Sequence, residues 1–216
     1  MKYILTGWVA GLLSIGVSVA QNGYDPKARQ ILDAMSEHYQ QIGSFASDFS
    51  YTMEIPNQSS PEAFEGEIKV KDNMYRLRMG GQEVINDGTT VWTYLEEANE
   101  VNIDDYDPEE GDISPTQIYN AYKRGFKYQY IEDETIDGVD YRVVDLIPEN
   151  TDNQFFKIRL HISEEDDMLK QWKIFEKNGT RYTYKIDNFD PSAELDEDTF
   201  AFNPKKYKGI DVVDLR

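Results

Sequence analysis

The sequence predicts a mainly β, α+β fold built on one strongly curved antiparallel sheet or barrel of about ten or eleven strands. Apolar and polar residues alternate with a period of two over most of the chain after residue 44, as in strands that bury one face. Dipeptides typical of tight hairpins, such as Asp137-Gly138 and Asn178-Gly179, separate these runs. No linker or repeat divides them, so residues 21–216 are expected to form one domain.

One helix is predicted before the strands. Asp25 is suited to the N-cap, Pro26 to the first helical position, and Gly43 to the stop. Apolar residues recur between them at helical spacing, which indicates an amphipathic helix of about four turns.

The segment Ser114 to Phe126 departs from the period of two. Its residues Ile118, Tyr122 and Phe126 approximate a helical stripe. We predict a short helix here, inserted between strands, that serves as a movable lid with these three residues facing the barrel. A fixed helix that plugs the core is the alternative, and in that case the lid would be the Asp25 to Gly43 helix.

The N-terminus has the features of a secretory signal. Lys2 precedes an uncharged apolar stretch, and Ser18-Val19-Ala20 offers small residues where a signal peptidase cleaves. We predict a signal peptide over residues 1–20 and an exported mature protein that begins at Gln21. The chain has no cysteine, so a lipid anchor on a lipobox cysteine and disulfides are both excluded.

The charge balance limits the possible partners. The net charge is −19, which argues against nucleic acid and against an anionic membrane surface, because both attract clustered Lys and Arg. Most of the acidic residues are expected to keep the protein soluble. We predict that the protein is a monomer.

No motif indicates catalysis or a cofactor. His38 and His161 have no recognisable partner residues, and the chain lacks a thiol, a nucleophile elbow and a phosphate loop. The acidic stretch 104–112 does not follow the calcium-loop spacing, since Gly111 comes one residue late. We therefore expect no enzyme, no cofactor and no metal site, although a glycosidase with paired carboxylates stays an alternative.

The apolar faces of the strands suggest a cavity for an apolar ligand. A sheet of this size has more apolar surface than one small barrel fills, and Met and aromatic residues make such a cavity adaptable. A fully packed core is the alternative. The residues predicted to line the cavity and bind lipid are Phe49, Tyr51, Met53, Ile68, Val70, Leu77, Met79 and Trp92.

An ordered set of motifs resembles the outer-membrane lipoprotein carrier family, LolA. The run Val84 to Tyr94, VINDGTTVWTY, is similar to the family's central signature. Ser44 to Phe49, Glu65 to Lys71 and the end of the chain, Phe200 to Pro204 and Asp211 to Arg216, are similar to its flanking motifs.

The resemblance implies an unclosed antiparallel β-barrel with an α-helical lid. It implies a cargo of acylated lipoproteins, taken from an inner-membrane ABC exporter, carried through the periplasm and delivered to the outer membrane, with or without a dedicated receptor there. One feature of the family is missing: many members have Arg-Pro after the lysine that ends the second strand, whereas here Asp72-Asn73 follows Lys71. The lid latch of that arginine cannot be carried over, and Arg76 or Arg78 are only conceivable substitutes.

Two other functions stay open at this point. The protein could bind another lipid or apolar ligand, or sense lipoproteins, on the same fold. It could also be an envelope interaction module that has a packed core and no ligand.

Overall fold

The computed structural model describes residues 23–107 and 118–216. The predicted signal peptide, Ser114 and most of the acidic stretch lie outside these ranges. In chain order the described elements are α1 (Pro26–Ile42), β1 (Ser44–Glu54), β2 (Glu62–Lys71), β3 (Met74–Met79), β4 (Gln82–Asn86), β5 (Thr90–Leu95), β6 (Glu100–Asp105), β7 (Phe126–Ile136), β8 (Val139–Pro148), β9 (Phe155–Ser163), β10 (Leu169–Glu176), β11 (Arg181–Asp190) and β12 (Asp211–Asp214). Short 3-10 helices cover Ala121–Lys123, Glu197–Phe200 and Pro204–Lys206.

The predicted caps of α1 are confirmed. The Asp25 carboxylate accepts hydrogen bonds from the backbone N–H groups of Lys27 (2.8 Å) and Ala28 (3.4 Å). Gly43 ends the helix with φ 69°, in the left-handed region that favours glycine.

The described strands form one sheet of twelve, in the order β12-β6-β5-β4-β3-β2-β1-β11-β10-β9-β8-β7. Neighbouring strands are antiparallel except β12 and β6, which are parallel. The fold prediction of an unclosed, mainly β barrel is confirmed, and β12 is the strand that the sequence did not indicate. Four residues are too few to show a period, and β12 forms because the chain end pairs with β6 about a hundred residues away.

The sheet has an inner face, defined here as the face that packs on α1. The register places Phe45, Ser47 and Phe49 of β1 on this face, opposite Val70, Ile68 and Gly66 of β2. The apolar residues among them join Leu32, Met35 and Tyr39 of α1 and apolar residues of β8 and β9 in the main core.

The outer face has a smaller apolar cluster of its own on β4 to β6. Ile85 and Val101 are buried there together with Phe200 from the C-terminal segment. The ring of Phe202 stacks on Trp92 with ring centroids 6.2 Å apart, so residues after 195 cover this part of the sheet.

The predicted helix from Ser114 to Phe126 is wrong in its described part. Residues 118–120 form a turn, only Ala121–Lys123 form a single 3-10 turn, and Phe126 already begins β7. The turn cannot continue because Arg124 is extended (φ −140°, ψ 123°) and Gly125 has φ 70°. The apolar stripe nevertheless reflects burial, since Ile118 and Tyr122 are both buried.

Candidate functional site

An apolar cavity of about 240 Å³ lies between the inner face of the sheet, the end of α1 and the segment Ile118–Tyr119. Two of its few polar groups already have partners, because the Ser47 hydroxyl donates to the Asn188 carbonyl (2.6 Å) and the Tyr39 hydroxyl to the Leu169 carbonyl (3.4 Å). The cavity is lined by Tyr39, Phe45, Ser47, Phe49, Ile68, Leu77, Met79, Ile118, Tyr119, Ile158, Leu169, Trp172, Ile174, Tyr184 and Ile186.

Four of the eight predicted lipid-binding residues line this cavity: Phe49, Ile68, Leu77 and Met79. The register explains why they converge, since Ile68 pairs with Leu77 and Gly66 with Met79 across β2 and β3. Phe49 fits over Gly66 because glycine has no side chain there: a Cβ on Gly66 would lie 2.4 Å from the tip of the ring.

Three of the other predicted residues share the inner face but do not line the cavity. Val70 is buried in the main core, 1% exposed. Tyr51 and Met53 lie further along β1, where they pair with Tyr184 and Tyr182 of β11.

Trp92 lies on the outer face, contrary to the predicted cavity position. It pairs with Ile85, which pairs with Arg76, whereas Leu77 and Val84 form the adjacent row on the inner face. Its contact with Phe202 therefore belongs to the outer cluster. Both faces are apolar in β4 and β5, so a period of two could not indicate which face holds the cavity.

The sequence prediction missed the half of the cavity that β9 to β11 supply. Trp172 stacks on Tyr184 with ring centroids 4.8 Å apart, and Ile158 and Ile174 pair beside them. A signal for these residues was present, because they alternate with polar residues as clearly as those of β1 to β3 do.

Of the three residues predicted for the lid, one lines the cavity and two do not. Ile118 lines the cavity, and its neighbour Tyr119 stacks on Tyr39 of α1 with centroids 4.6 Å apart. Tyr122 is buried outside the cavity lining, and Phe126 stacks on Phe155 at 6.3 Å.

Hydrogen bonds attach the segment Ile118–Lys123 to α1. The Ser36 hydroxyl donates to Asn120 Oδ1 (2.6 Å), and Lys123 Nζ donates to the Ser36 hydroxyl oxygen (2.6 Å). The Tyr122 hydroxyl donates to Asp33 Oδ1 (2.5 Å). Burial, and then the bond to Asp33, raise the pKa of Tyr122, so this hydroxyl stays protonated at neutral pH and keeps its role as donor.

Neither Arg76 nor Arg78 substitutes for the missing latch arginine. Both donate to Glu83 on the outer face, at 2.8 and 2.6 Å, and Arg76 also donates to the Thr199 carbonyl. Lys71 Nζ donates to the Leu195 carbonyl of the C-terminal segment (3.0 Å). Arg76 and Lys71 thus hold the C-terminal segment on the sheet, whereas the contacts between α1 and Ile118–Lys123 lie beside the cavity.

A larger cleft of about 1,000 Å³ is open and polar. Its lining includes six carboxylates, those of Asp48, Glu65, Glu67, Glu83, Glu96 and Asp187. An acyl chain gains nothing from such a surface, so the smaller apolar cavity is the candidate site.

Neither histidine forms a catalytic constellation among the described residues. His161 is buried with Nε2 3.3 Å from Glu134 Oε2, and burial lowers its pKa despite that carboxylate. His38 lies on α1. Within residues 23–107 and 118–216, no group of three or more His, Cys, Asp or Glu side chains is placed to hold a metal ion. The described helices also include none with the length and apolar character needed to cross a membrane.

The chain is similar to several solved structures. An uncharacterized conserved protein from Thermus thermophilus aligns with a TM-score of 0.60 and 14% identity over 87% of this chain and 99% of its own. A LolA superfamily protein from Nitrosomonas europaea aligns with a TM-score of 0.45 and 14% identity over 81% and 97%. LprF from Mycobacterium bovis aligns with a TM-score of 0.46 and 14% identity over 80% and 97%. The identity to the Thermus protein is low enough that the likeness shows the fold alone.

A search of curated proteins finds no match. The sequence profile of the family described as "Outer membrane lipoprotein carrier protein LolA" matches residues 40–203, well over half of the chain. The match includes the VINDGTTVWTY motif and every strand that lines the cavity, and it ends before the Asp211 to Arg216 motif. The chain therefore belongs to the LolA family of outer membrane lipoprotein carrier proteins.

Proposed function

We propose that this protein carries acylated lipoproteins through the periplasm, from the inner to the outer membrane, with their acyl chains in the apolar cavity. The observation that supports the proposal is the cavity itself, which is lined by apolar and aromatic side chains on the inner face of an unclosed sheet. Such a cavity excludes water and favours an alkyl chain, because few polar groups are present to hold ordered water.

The cavity must enlarge to accept a lipoprotein anchor. Its volume of about 240 Å³ is below the roughly 300–1,000 Å³ of ordinary ligand pockets, and an anchor has two or three chains. Each buried CH₂ is worth about 0.8 kcal/mol, so one 16-carbon chain represents about 12 kcal/mol. Moving the small covering segment costs far less than leaving that chain in water.

The covering element that moves is, in this proposal, the segment Ile118–Lys123. Helix α1 is tied to the sheet at both ends: Asp25 N–H donates to the Tyr128 carbonyl (3.1 Å), and Gly43 leads directly into β1. By contrast, the segment is held to α1 mainly by a few side-chain contacts, and Arg124 and Gly125 follow it in the chain. The segment Ile118–Lys123 therefore serves as the lid, with Ile118 facing the cavity. The hydrogen bond from Tyr122 to Asp33 holds the lid closed.

An engineered disulfide tests this lid. The Ser36→Cys/Asn120→Cys pair replaces two side chains in contact, and the native chain has no cysteine to interfere. The oxidised form should lose lipoprotein uptake and regain it on reduction. The single variants are the controls, and equal uptake in the oxidised and reduced forms would mean that the segment is a fixed plug.

The direction of transport depends on the free energy of the lipid anchor at each step. The carrier uses no cofactor in this proposal, so the inner-membrane ABC exporter supplies the energy that lifts the lipoprotein from the donor membrane. The outer membrane, with or without a receptor, then takes up the anchor because a bilayer holds lipid more tightly than a small cavity does.

Mass spectrometry of the protein isolated from its native periplasm tests the function. We expect co-purified polypeptides with an acylated N-terminal cysteine, and their loss in Ile68→Glu. Free fatty acid or phospholipid alone would instead indicate a carrier or sensor of another lipid. An empty protein that also binds no apolar dye would indicate an interaction module without a ligand.

A further inference from the structure

An aromatic ladder leads out of the cavity on the inner face. Tyr184 lines the cavity, and its ring lies 4.9 Å from Tyr51. Tyr51 in turn contacts Tyr182 at 5.8 Å and Phe64 at 5.7 Å. The ladder becomes more exposed along its length, and Phe64 is 37% exposed. A chain that fills the cavity and extends further can therefore follow these rings toward the loops that join β1 to β2 and β10 to β11.

Carboxylates flank the exposed end of the ladder. Glu62 is paired with Met53 at the start of β2, and Glu176, at the end of β10, is a hydrogen-bond partner of the Tyr182 side chain. Burial raises the pKa of Tyr51 to about 12, and the nearby Tyr182, Glu176 and Glu62 act in the same direction. Two acidic side chains thus lie close to the hydroxyl groups where the ladder ends.

Two cations at this end of the sheet are engaged on the outer face, and Lys177, which follows Glu176, donates to the Thr151 carbonyl. Lys173 Nζ lies 3.0 Å from Glu54 Oε1, and Arg181 lies 3.9 Å from the same carboxylate. Glu62 and Glu176, in contrast, accept hydrogen bonds from the neutral amides of Gln58 (3.2 Å) and Asn178 (2.8 Å). Neither amide supplies a positive charge to offset these two carboxylates.

We infer that the exposed end of the ladder, at Tyr51, Tyr182, Glu62 and Glu176, selects amphiphiles whose head group is a cationic amine and disfavours phosphate or carboxylate head groups. The inference rests on the proposed function, since it concerns the polar end of the same ligand. A positively charged head placed at the end of the ladder meets two carboxylates and two hydroxyl oxygens. An anionic head meets the same carboxylates as like charges, in a chain whose net charge is already −19.

The test uses one dipalmitoyl lipopeptide in three forms: with a free α-amine, with an acetylated and therefore neutral amine, and with a succinylated and therefore anionic one. At pH 7 the free α-amine is mostly protonated, because its pKa is about 8. Displacement of an apolar dye from the mature protein gives the three affinities. Two partly exposed charge pairs change a dissociation constant by a factor of roughly two to thirty. We expect the free amine to bind about fivefold more tightly than the succinylated form.

Two double variants of equal net charge separate the effect of the carboxylates at the end of the ladder from the effect of the overall charge. Glu62→Gln/Glu176→Gln should remove most of the preference, whereas Glu96→Gln/Glu97→Gln, in the exposed hairpin between β5 and β6, should leave it unchanged. Equal binding of the three forms, or an equal effect of both double variants, would overturn the inference and leave the proposed function intact. If no form displaced the dye, the proposed function itself would be contradicted, and this inference with it.

Discussion

Glu83 holds the C-terminal segment on the sheet, and its replacement is expected to destabilise the protein without affecting the cavity. Glu83 lies on β4 and is 7% exposed. It accepts hydrogen bonds from the guanidinium groups of Arg76 and Arg78 and from the hydroxyl of Tyr207. Burial by itself would raise the pKa of Glu83, but the hydrogen bonds outweigh burial and lower the pKa to about 2.

The lowered pKa sets the magnitude of the effect. The ordinary pKa is 4.5, and the folded value is about 2. A tenfold change in proton affinity corresponds to about 1.4 kcal/mol, so ionised Glu83 contributes about 3 kcal/mol to the free energy of unfolding. Because the folded pKa is the lower one, this contribution is complete above pH 4.5 and is lost as the pH falls toward 2.

Urea unfolding of Glu83→Gln, followed by circular dichroism at pH 7 and again at pH 3, measures this contribution. At pH 7 the free energy of unfolding of the variant should be about 3 kcal/mol lower than that of the natural protein. The difference should be clearly smaller at pH 3. Glu96→Gln is the control, because Glu96 is exposed. Dye binding by the folded variant should stay normal, since Glu83 contacts the outer face. A loss below about 1 kcal/mol at pH 7, or the same loss at both pH values, would refute this reasoning.

Three further predictions concern the cavity and the chain start. Ile68→Glu places a charge among apolar cavity residues and should abolish cargo binding; a folded variant that carries lipoprotein normally would remove Ile68 from the site. Gly66→Ala adds a Cβ that would lie 2.4 Å from the Phe49 ring, and it should lower the free energy of unfolding by about 1–3 kcal/mol and weaken dye binding; unchanged urea and dye titrations would contradict the close contact. Intact-mass analysis of the periplasmic protein should give a chain that begins at Gln21; a retained leader or an added acyl mass would count against the predicted signal peptide.

Local signals in the sequence determined the first helix and most of the strands, together with the face that each strand residue shares. Asp25, Pro26 and Gly43 bound the helix because capping and backbone preferences act within a few residues. The alternation along β1 to β3 was enough to place Phe49, Ile68, Leu77 and Met79 on one face. A period of two requires that these side chains point the same way, whatever covers them.

What covers each face was decided only by the tertiary structure. Trp92 looked like a cavity residue, yet the face it shares with Ile85 is covered by Phe200 and Phe202 from the end of the chain. Likewise, the apolar stripe at Ile118 and Tyr122 indicated burial correctly but not a helix. The period of the apolar residues shows which side chains are buried. It does not show what buries them, because that depends on contacts between residues far apart in the chain, and such contacts leave no local pattern in the sequence.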